Sequence, residues 1–208
     1  MIAIIGDLHN SYKKVFKFLN SSTEIEFCLQ IGDLGKENQP YPDFPIPTYF
    51  IQGNHENWDA IEKIKENQGP KNLHFLENGN LYDIRGLKIL ALGGNYAPSK
   101  FKLKRKDLTG DLRRHFVNDE ITTCCTYKDV DIFLTHEAPS PYYKFDRNIG
   151  NSSVSQIIKA TNPKLHVFGH HHYYSEYIAV PNTKSLGLTY GFNQIILFDN
   201  FKLTQINL

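Results

Sequence analysis

Five short polar segments, each placed where a run of apolar residues gives out, constrain this chain more than any other feature. They are Gly6-Asp7-Leu8-His9, Gly32-Asp33, Gly53-Asn54-His55-Glu56, Thr135-His136 and Gly169-His170-His171-His172. The runs before them, Ile2–Ile5, Phe27–Ile31, Thr48–Ile51, Val130–Leu134 and Leu165–Phe168, are short and rich in strand-forming residues. The polar groups therefore lie just past the carboxyl ends of predicted strands, where open α/β sheets place their ligands.

Together the segments supply the donor set of a two-metal hydrolase. Asp7 and His9 stand two apart, so on an extended strand exit both point the same way and reach one ion. His170 and His172 repeat that spacing, with His171 turned elsewhere. Asp33 has two oxygens with which to bridge two cations, Asn54 offers a neutral carbonyl oxygen and His136 an imidazole. Oxygen and nitrogen donors without thiolates suit manganese, iron or zinc better than calcium. Any one segment alone is as well read as a turn, a cap or a buried histidine; five in order are read as a site.

The first half of the chain alternates strand and helix patterns. Tyr12, Val15, Phe16 and Leu19 fall at i, i+3, i+4 and i+7, which predicts an amphipathic helix over Ser11–Leu19. Trp58–Lys65 is a second helix capped by Asn57, and the prolines of Gln39–Pro47 make that stretch a loop. From Leu73 the strands shorten: Leu73–Leu76, Leu81–Ile84 and Leu87–Leu92, the last two joined by a hairpin turn at Arg85-Gly86. Phe101–Phe116 is polar and basic, Asn118–Thr123 a short helix, and Ser152–Ala160 a helix closed by Asn162-Pro163. The remainder, over Tyr174–Val180, Lys184–Leu188, Gln194–Phe198 and Lys202–Ile206, reads as a meander turning at Asp199-Asn200. The expected architecture is α/β: two packed mixed sheets with helices outside, in one domain over residues 1–208.

Bulk properties narrow the function classes. A net charge of +1 gives no global attraction to polyanions or membranes. Three cysteines, two of them adjacent, form no disulfide framework and no thiolate zinc pattern. The first strand leads straight into the first motif, without a signal-like segment, and no apolar stretch is long enough to span a membrane. A cytoplasmic enzyme is expected.

The five blocks, Asp-x-His, Gly-Asp, Gly-Asn-His-Glu, a lone His and Gly-His-x-His, resemble the pattern of the calcineurin-like metallophosphoesterase superfamily, and they span residues 6 to 172. The resemblance implies a four-layer α/β/β/α sandwich of two mixed β-sheets flanked by helices. It implies two divalent ions, one held by Asp7, His9, Asp33 and His172, the other by Asp33, Asn54, His136 and His170. It makes His55 the general acid, with Glu56 positioning it, in the hydrolysis of a phosphodiester or nucleotide phosphoanhydride. The alternatives are a phosphomonoesterase or protein phosphatase, a non-catalytic scaffold, and a nucleic-acid-binding protein on the same fold.

The substrate is less legible. Gly32-Asp33-Leu34-Gly35 lacks the Asp-Arg of protein serine/threonine phosphatases. Gly93-Gly94-Asn95-Tyr96 and Thr135-His136-Glu137-Ala138-Pro139 are similar to the RNA lariat debranching branch and its small prokaryotic relatives. Asp7 stands where debranching enzymes carry Cys, and their long C-terminal extension is not present, so kinship is implied without debranching itself. Lys100, Lys102, Lys104, Arg105, Lys106, Arg113 and Arg114 face only Asp107 and Asp111 in sequence. That stretch is read either as an attractor of nucleotide or single-stranded nucleic acid or as a solvated loop. Tyr142-Tyr143 and Tyr173-Tyr174 are likewise either stacking faces or packing. His74, His115 and His166 are expected to be structural.

Overall fold

Strands without polar alternation need cover on both faces, and the computed structural model, which describes residues 1–180 and 183–208, shows how each face is covered. In chain order the first elements are β1 (Ile2–Ile5), α1 (Lys13–Ser21), β2 (Phe27–Gln30), β3 (Thr48–Phe50), α2 (Trp58–Lys65) and β4 (Leu73–Phe75). Then come β5 (Leu81–Ile84), β6 (Leu87–Leu92), two 3₁₀ turns, α3 (Asn118–Cys124), β7 (Ile132–Thr135), β8 (Tyr143–Lys144) and β9 (Arg147–Asn148). The last are α4 (Ser152–Thr161), β10 (Leu165–Phe168), β11 (Ser175–Val180), β12 (Thr183–Gly187), β13 (Gln194–Asp199) and β14 (Lys202–Asn207).

Two six-stranded sheets result, ordered β14-β13-β1-β2-β3-β4 and β11-β12-β10-β7-β6-β5. β1 to β4 are parallel in the first, as are β6, β7, β10 and β12 in the second, with antiparallel strands at the edges. Alternate residues sort into layers. Ile2, Ile4, Phe27 and Leu29 meet Ile89, Ala91, Ile132, Leu134 and Val167 between the sheets. Ala3, Ile5, Cys28 and Phe50 face the other way, onto Val15 and Leu19 of α1 and Trp58, Ile61 and Ile64 of α2. Leu90, Leu92 and Phe133 are covered by Ile121 of α3 and Val154, Ile157 and Ile158 of α4. The layering is α/β/β/α, as the resemblance implied.

Local signals hold where their chemistry is short-range. Asn57 caps α2 through Ala60 N–H at 3.0 Å, Asn162 closes α4 in the left-handed region, and Arg85-Gly86 turns with positive φ at both residues. The expected meander is incorrect. β11 and β12 form a hairpin on β10 in the second sheet, whereas β13 and β14 form one on β1 in the first. Both β1 and β10 need a partner on their free side, and residues 188–193 cross between the sheets to supply one to each. α1 also begins two residues later than expected and β7 starts at Ile132 rather than Val130.

His166 is structural. It is fully buried, its ring bonded to Thr135 Oγ1 at 2.8 Å and Ser185 Oγ at 3.1 Å. Burial pushes its imidazole down to about 3, so the unfolded chain takes up a proton near 6.5 that the folded protein refuses until about 3. Stability therefore falls as pH drops through that window, by about 1.4 kcal/mol per pH unit. A His166→Gln variant is expected to show a shallower acid loss of stability than the wild type in urea titrations across this range; equal slopes would contradict it.

Candidate metal centre

Asp33 is where the loops of both sheets meet. Its backbone carbonyl accepts the N–H groups of Leu8 and His9, both at 2.9 Å, which fixes the loop after β1. Its Oδ1 accepts the His55 N–H at 2.7 Å, which fixes the loop after β3. Its Oδ2 lies 3.6 Å from the Nε2 atoms of both His9 and His136. Asp7 makes the other link: its Oδ2 accepts the His170 N–H at 3.0 Å and faces His172 Nε2 at 2.8 Å. Both carboxylates are out of solvent, Asp7 at 0% and Asp33 at 2% exposure.

The side chains gather into two groups that share one member. Asp7, His9, Asp33 and His172 form the first; Asp33, His136 and His170 form the second, each group's donor atoms lying within 4.8 Å of one another. Asn54 joins the second, its Oδ1 3.0 Å from His136 Nε2. Two features show that a cation fits. Asp7 Oδ1 is buried without any hydrogen-bond partner. The Nε2 atoms of His9 and His172 face each other at 3.4 Å, which suits two donors to one ion better than an isolated pair of rings.

Burial and charge act in opposition on Asp33 and His136. Burial would raise the Asp33 carboxyl, but His136, the His55 N–H and His9 hold it well below the usual carboxylate range. Burial would lower His136, yet Asp33 beside it raises it. Burial and the neighbouring His136 and His171 rings push His170 down to about 3, leaving it neutral as a ligand must be.

The side chains at i and i+2 do not converge from extended backbone. His9, Asp33, His170 and His172 have φ of 45°, 52°, 68° and 55°, so their side chains converge through left-handed backbone rather than an extended strand exit. Such conformations cost of order 1–3 kcal/mol each and persist where surrounding structure over-determines them. His171 turns away, as expected, and stacks on Tyr142 with ring centroids 5.1 Å apart.

Glu56 is a second correction. It does not sit against the His55 ring; its buried carboxylate accepts from Leu34 N–H at 3.2 Å, Gly53 N–H at 2.9 Å and Tyr41 O–H at 2.5 Å. Burial and the Asp33 charge push it up to about 7. It clamps the loop carrying Asp33 to the loop carrying Asn54. The acid beside His55 is Glu37, whose Oε1 lies 3.6 Å from Nδ1.

Three other contributors went unread in the sequence. Gln30, buried at the end of β2, holds Gly6 O at 3.3 Å and the carbonyl and N–H of Gly32 at 2.6 and 3.0 Å; a glutamine closing an apolar strand was the available signal. Tyr190 stacks on His172 at 4.0 Å and Phe192 on Tyr190 at 5.0 Å. These rings, with His9, Ser11, Lys36, Glu37 and His55, line an open cleft of about 680 Å³. Three cations of the basic stretch are pinned: Lys104 pairs with Asp119, Arg105 with Glu120, and Arg113 with Asp59 and Glu62. Those acids lie on or beside α2 and α3, out of sight of a local charge count.

The profile of the calcineurin-like phosphoesterase family matches residues 1–174. The chain belongs to this family. Its members are phosphoester hydrolases that use divalent metals. The chain is 20% identical over 197 residues to the lariat debranching enzyme of Schizosaccharomyces pombe, a match covering 82% of this chain and 42% of that protein. It thus spans less than half the length of that relative. Among solved structures, the protein TT1561 of Thermus thermophilus aligns at a TM-score of 0.70 and 16% identity, over 99% of this chain and 98% of the other. An archaeal phosphodiesterase aligns at 0.54 and 13%, over 100% and 99%. At such identities these structures share the fold. Among the described residues no helix of this calcineurin-like protein is long and apolar enough to cross a membrane.

A methyl group at Gly53 would stand 2.1 Å from Asp33 Oδ1 and 2.2 Å from Asp33 N. Gly53→Ala is therefore expected to displace Asp33 and weaken manganese binding at least about tenfold in calorimetric titration, with the thermal transition retained. Wild-type affinity would show that the glycine's close approach is dispensable.

Proposed function

We propose that residues 1–208 act as one domain that hydrolyses a phosphodiester, the substrate being a nucleotide or single-stranded nucleic acid. In this reading Asp7, His9, Asp33 and His172 hold one divalent ion, and Asp33, Asn54, His136 and His170 a second. Manganese, iron and zinc all suit the donors. What carries the reading is the convergence of these side chains on Asp33 beside His55, a half-exposed ring that belongs to neither group.

Divalent ions in such a pair draw charge from phosphoryl oxygens and acidify water. The chain's own residues do the rest. Water oxygen bonds to phosphorus as the bond to the ester oxygen breaks, the water gives up a proton, and His55 Nε2 supplies one to the departing oxygen. The products are an alcohol and a phosphomonoester. Glu37, facing Nδ1, orients the ring. Tyr190 and Phe192 offer a flat wall for a leaving nucleoside.

Two observations favour a diester. Among the cleft-lining residues the only lysine or arginine is Lys36, and Glu37 stands beside it; a terminal phosphate carries more charge than that pair offsets. The cleft is also open, with room for substituents on either side of phosphorus. The debranching enzyme and the phosphodiesterase among the relatives are in keeping with that preference.

With manganese, bis(p-nitrophenyl) phosphate is expected to be cleaved faster than the monoester. His55→Ala should lower kcat by about 10²–10⁴ with metal content retained. Glu37→Gln should lower it less, with metal content likewise retained, since the ring loses a neighbour that orients it. Activity indifferent to His55→Ala would falsify the acid role, and strong monoesterase activity with none on diesters would move the assignment to a phosphatase.

A further inference from the structure

The β8–β9 hairpin belongs to neither large sheet. Its two-residue turn, Phe145-Asp146, has φ of 50° and 59°, the geometry that hairpins prefer but usually fill with Asn-Gly. A bulky ring in that region costs about 1–2 kcal/mol, and Phe145 is 88% exposed, so burial returns almost nothing for it. Tyr143 is 67% exposed.

The base of the hairpin is fixed, by contrast. Tyr142 stacks on His171 and, at 5.8 Å, on Tyr177. Its N–H donates to Asn148 Oδ1 at 3.0 Å, and Ile149 N–H donates to Tyr142 O at 2.7 Å. His171 sits between His170 and His172, so the hairpin grows directly from the edge of the candidate metal centre. Three cations of the basic stretch, Lys104, Arg105 and Arg113, are held in ion pairs. Lys144 and Arg147 face each other across the hairpin and form no ion pair among the described residues.

We propose that this hairpin is an arm that holds single-stranded nucleic acid at the metal centre, Tyr143 and Phe145 stacking on bases and Lys144 and Arg147 meeting phosphates. The inference rests on the diesterase reading and names its substrate class. Isolated exposed rings alternating with unpaired cations match a strand whose bases are unstacked and whose backbone is anionic. A duplex hides its base faces, and a protein partner would call for a continuous apolar patch in place of cations among rings. Phe145 lies three residues beyond the Tyr142 stack, about 10 Å of extended chain. That reach corresponds to a base one or two nucleotides from the phosphate being cut.

The test uses the full chain, a labelled single-stranded oligonucleotide of about ten residues, the matching duplex and bis(p-nitrophenyl) phosphate. Binding is read by fluorescence anisotropy, hydrolysis with manganese, for wild type, Phe145→Ser and the pair Lys144→Ser/Arg147→Ser. Each variant is expected to raise the single-strand Kd about fivefold or more. Each should lower the kcat/KM ratio of oligonucleotide to small diester by a similar factor. The double variant should also reduce the salt slope of log Kd by about 1.4. Wild-type Kd and ratio in both variants would overturn the arm, as would tighter wild-type binding to duplex than to single strand. Equal losses on both substrates would also overturn it, since the hairpin would then merely prop His171. If the wild type binds the oligonucleotide through the arm yet cleaves no diester, the arm stands and the hydrolase reading fails. If it cleaves the small diester but binds no oligonucleotide, the arm fails and the hydrolase reading stands.

Discussion

A carboxylate withheld from water, that of Asp33, is the constraint on which the rest of this molecule depends. Removing such a group from solvent costs several kcal/mol unless donors and positive charge replace the lost hydration. Here the replacements come from three loops: the His55 N–H after β3, the His9 ring after β1 and the His136 ring after β7. The Asp33 carbonyl additionally takes the N–H groups of Leu8 and His9. One residue thus couples the ends of both sheets, and a cation bound between the groups would complete the balance that the protein's own donors begin. Asp7 repeats the arrangement, with Oδ2 bonded to the His170 N–H and Oδ1 buried without a hydrogen-bond partner.

The sandwich explains how such a centre is held. Strained left-handed residues at His9, Asp33, His170 and His172 stay in place because each follows a strand buried on both faces. Rigid ends leave the connecting loops little freedom, and the polar clamps of Gln30 and Glu56 remove more of it. Binding energy from a metal is then not spent on ordering the loops. The division of labour is plain: the apolar layers supply rigidity, the buried amides and carboxylates supply register, and the exposed aromatics and Lys36 face what comes from outside.

What was legible in the sequence follows from range. Strand ends, the Asn57 cap, the Arg85-Gly86 turn and the order of the polar motifs depend on neighbours a few residues away, and these could be read directly. The grouping of Asp7 with His172, across most of the chain, was reachable only through family resemblance, since no local pattern encodes it. Glu56 was misread because a carboxylate next to His55 in sequence points, after a turn, into the core. Glu37 acquired its place beside His55 through the path of a Pro-rich loop with no periodic signal. The C-terminal strands were identified one by one but not their partners, because apolar alternation specifies a buried face and leaves open which sheet it belongs to.

The position of β1 bears on how the chain reaches this state. β1 lies between β2 and β13, with Ile2 opposite both Phe27 and Phe198. One side pairs with the next strand along the chain, whereas the other waits for β13, nearly two hundred residues further on. Until β13 arrives, the strand leading to Asp7 has an open edge of backbone groups in the middle of what will be the core. Closing a loop of that length is slow, and an unpaired apolar edge invites pairing with other chains meanwhile. The loop that carries Asp7 is therefore among the last parts of the candidate centre to be secured, because its strand waits on a hairpin far from any chemistry.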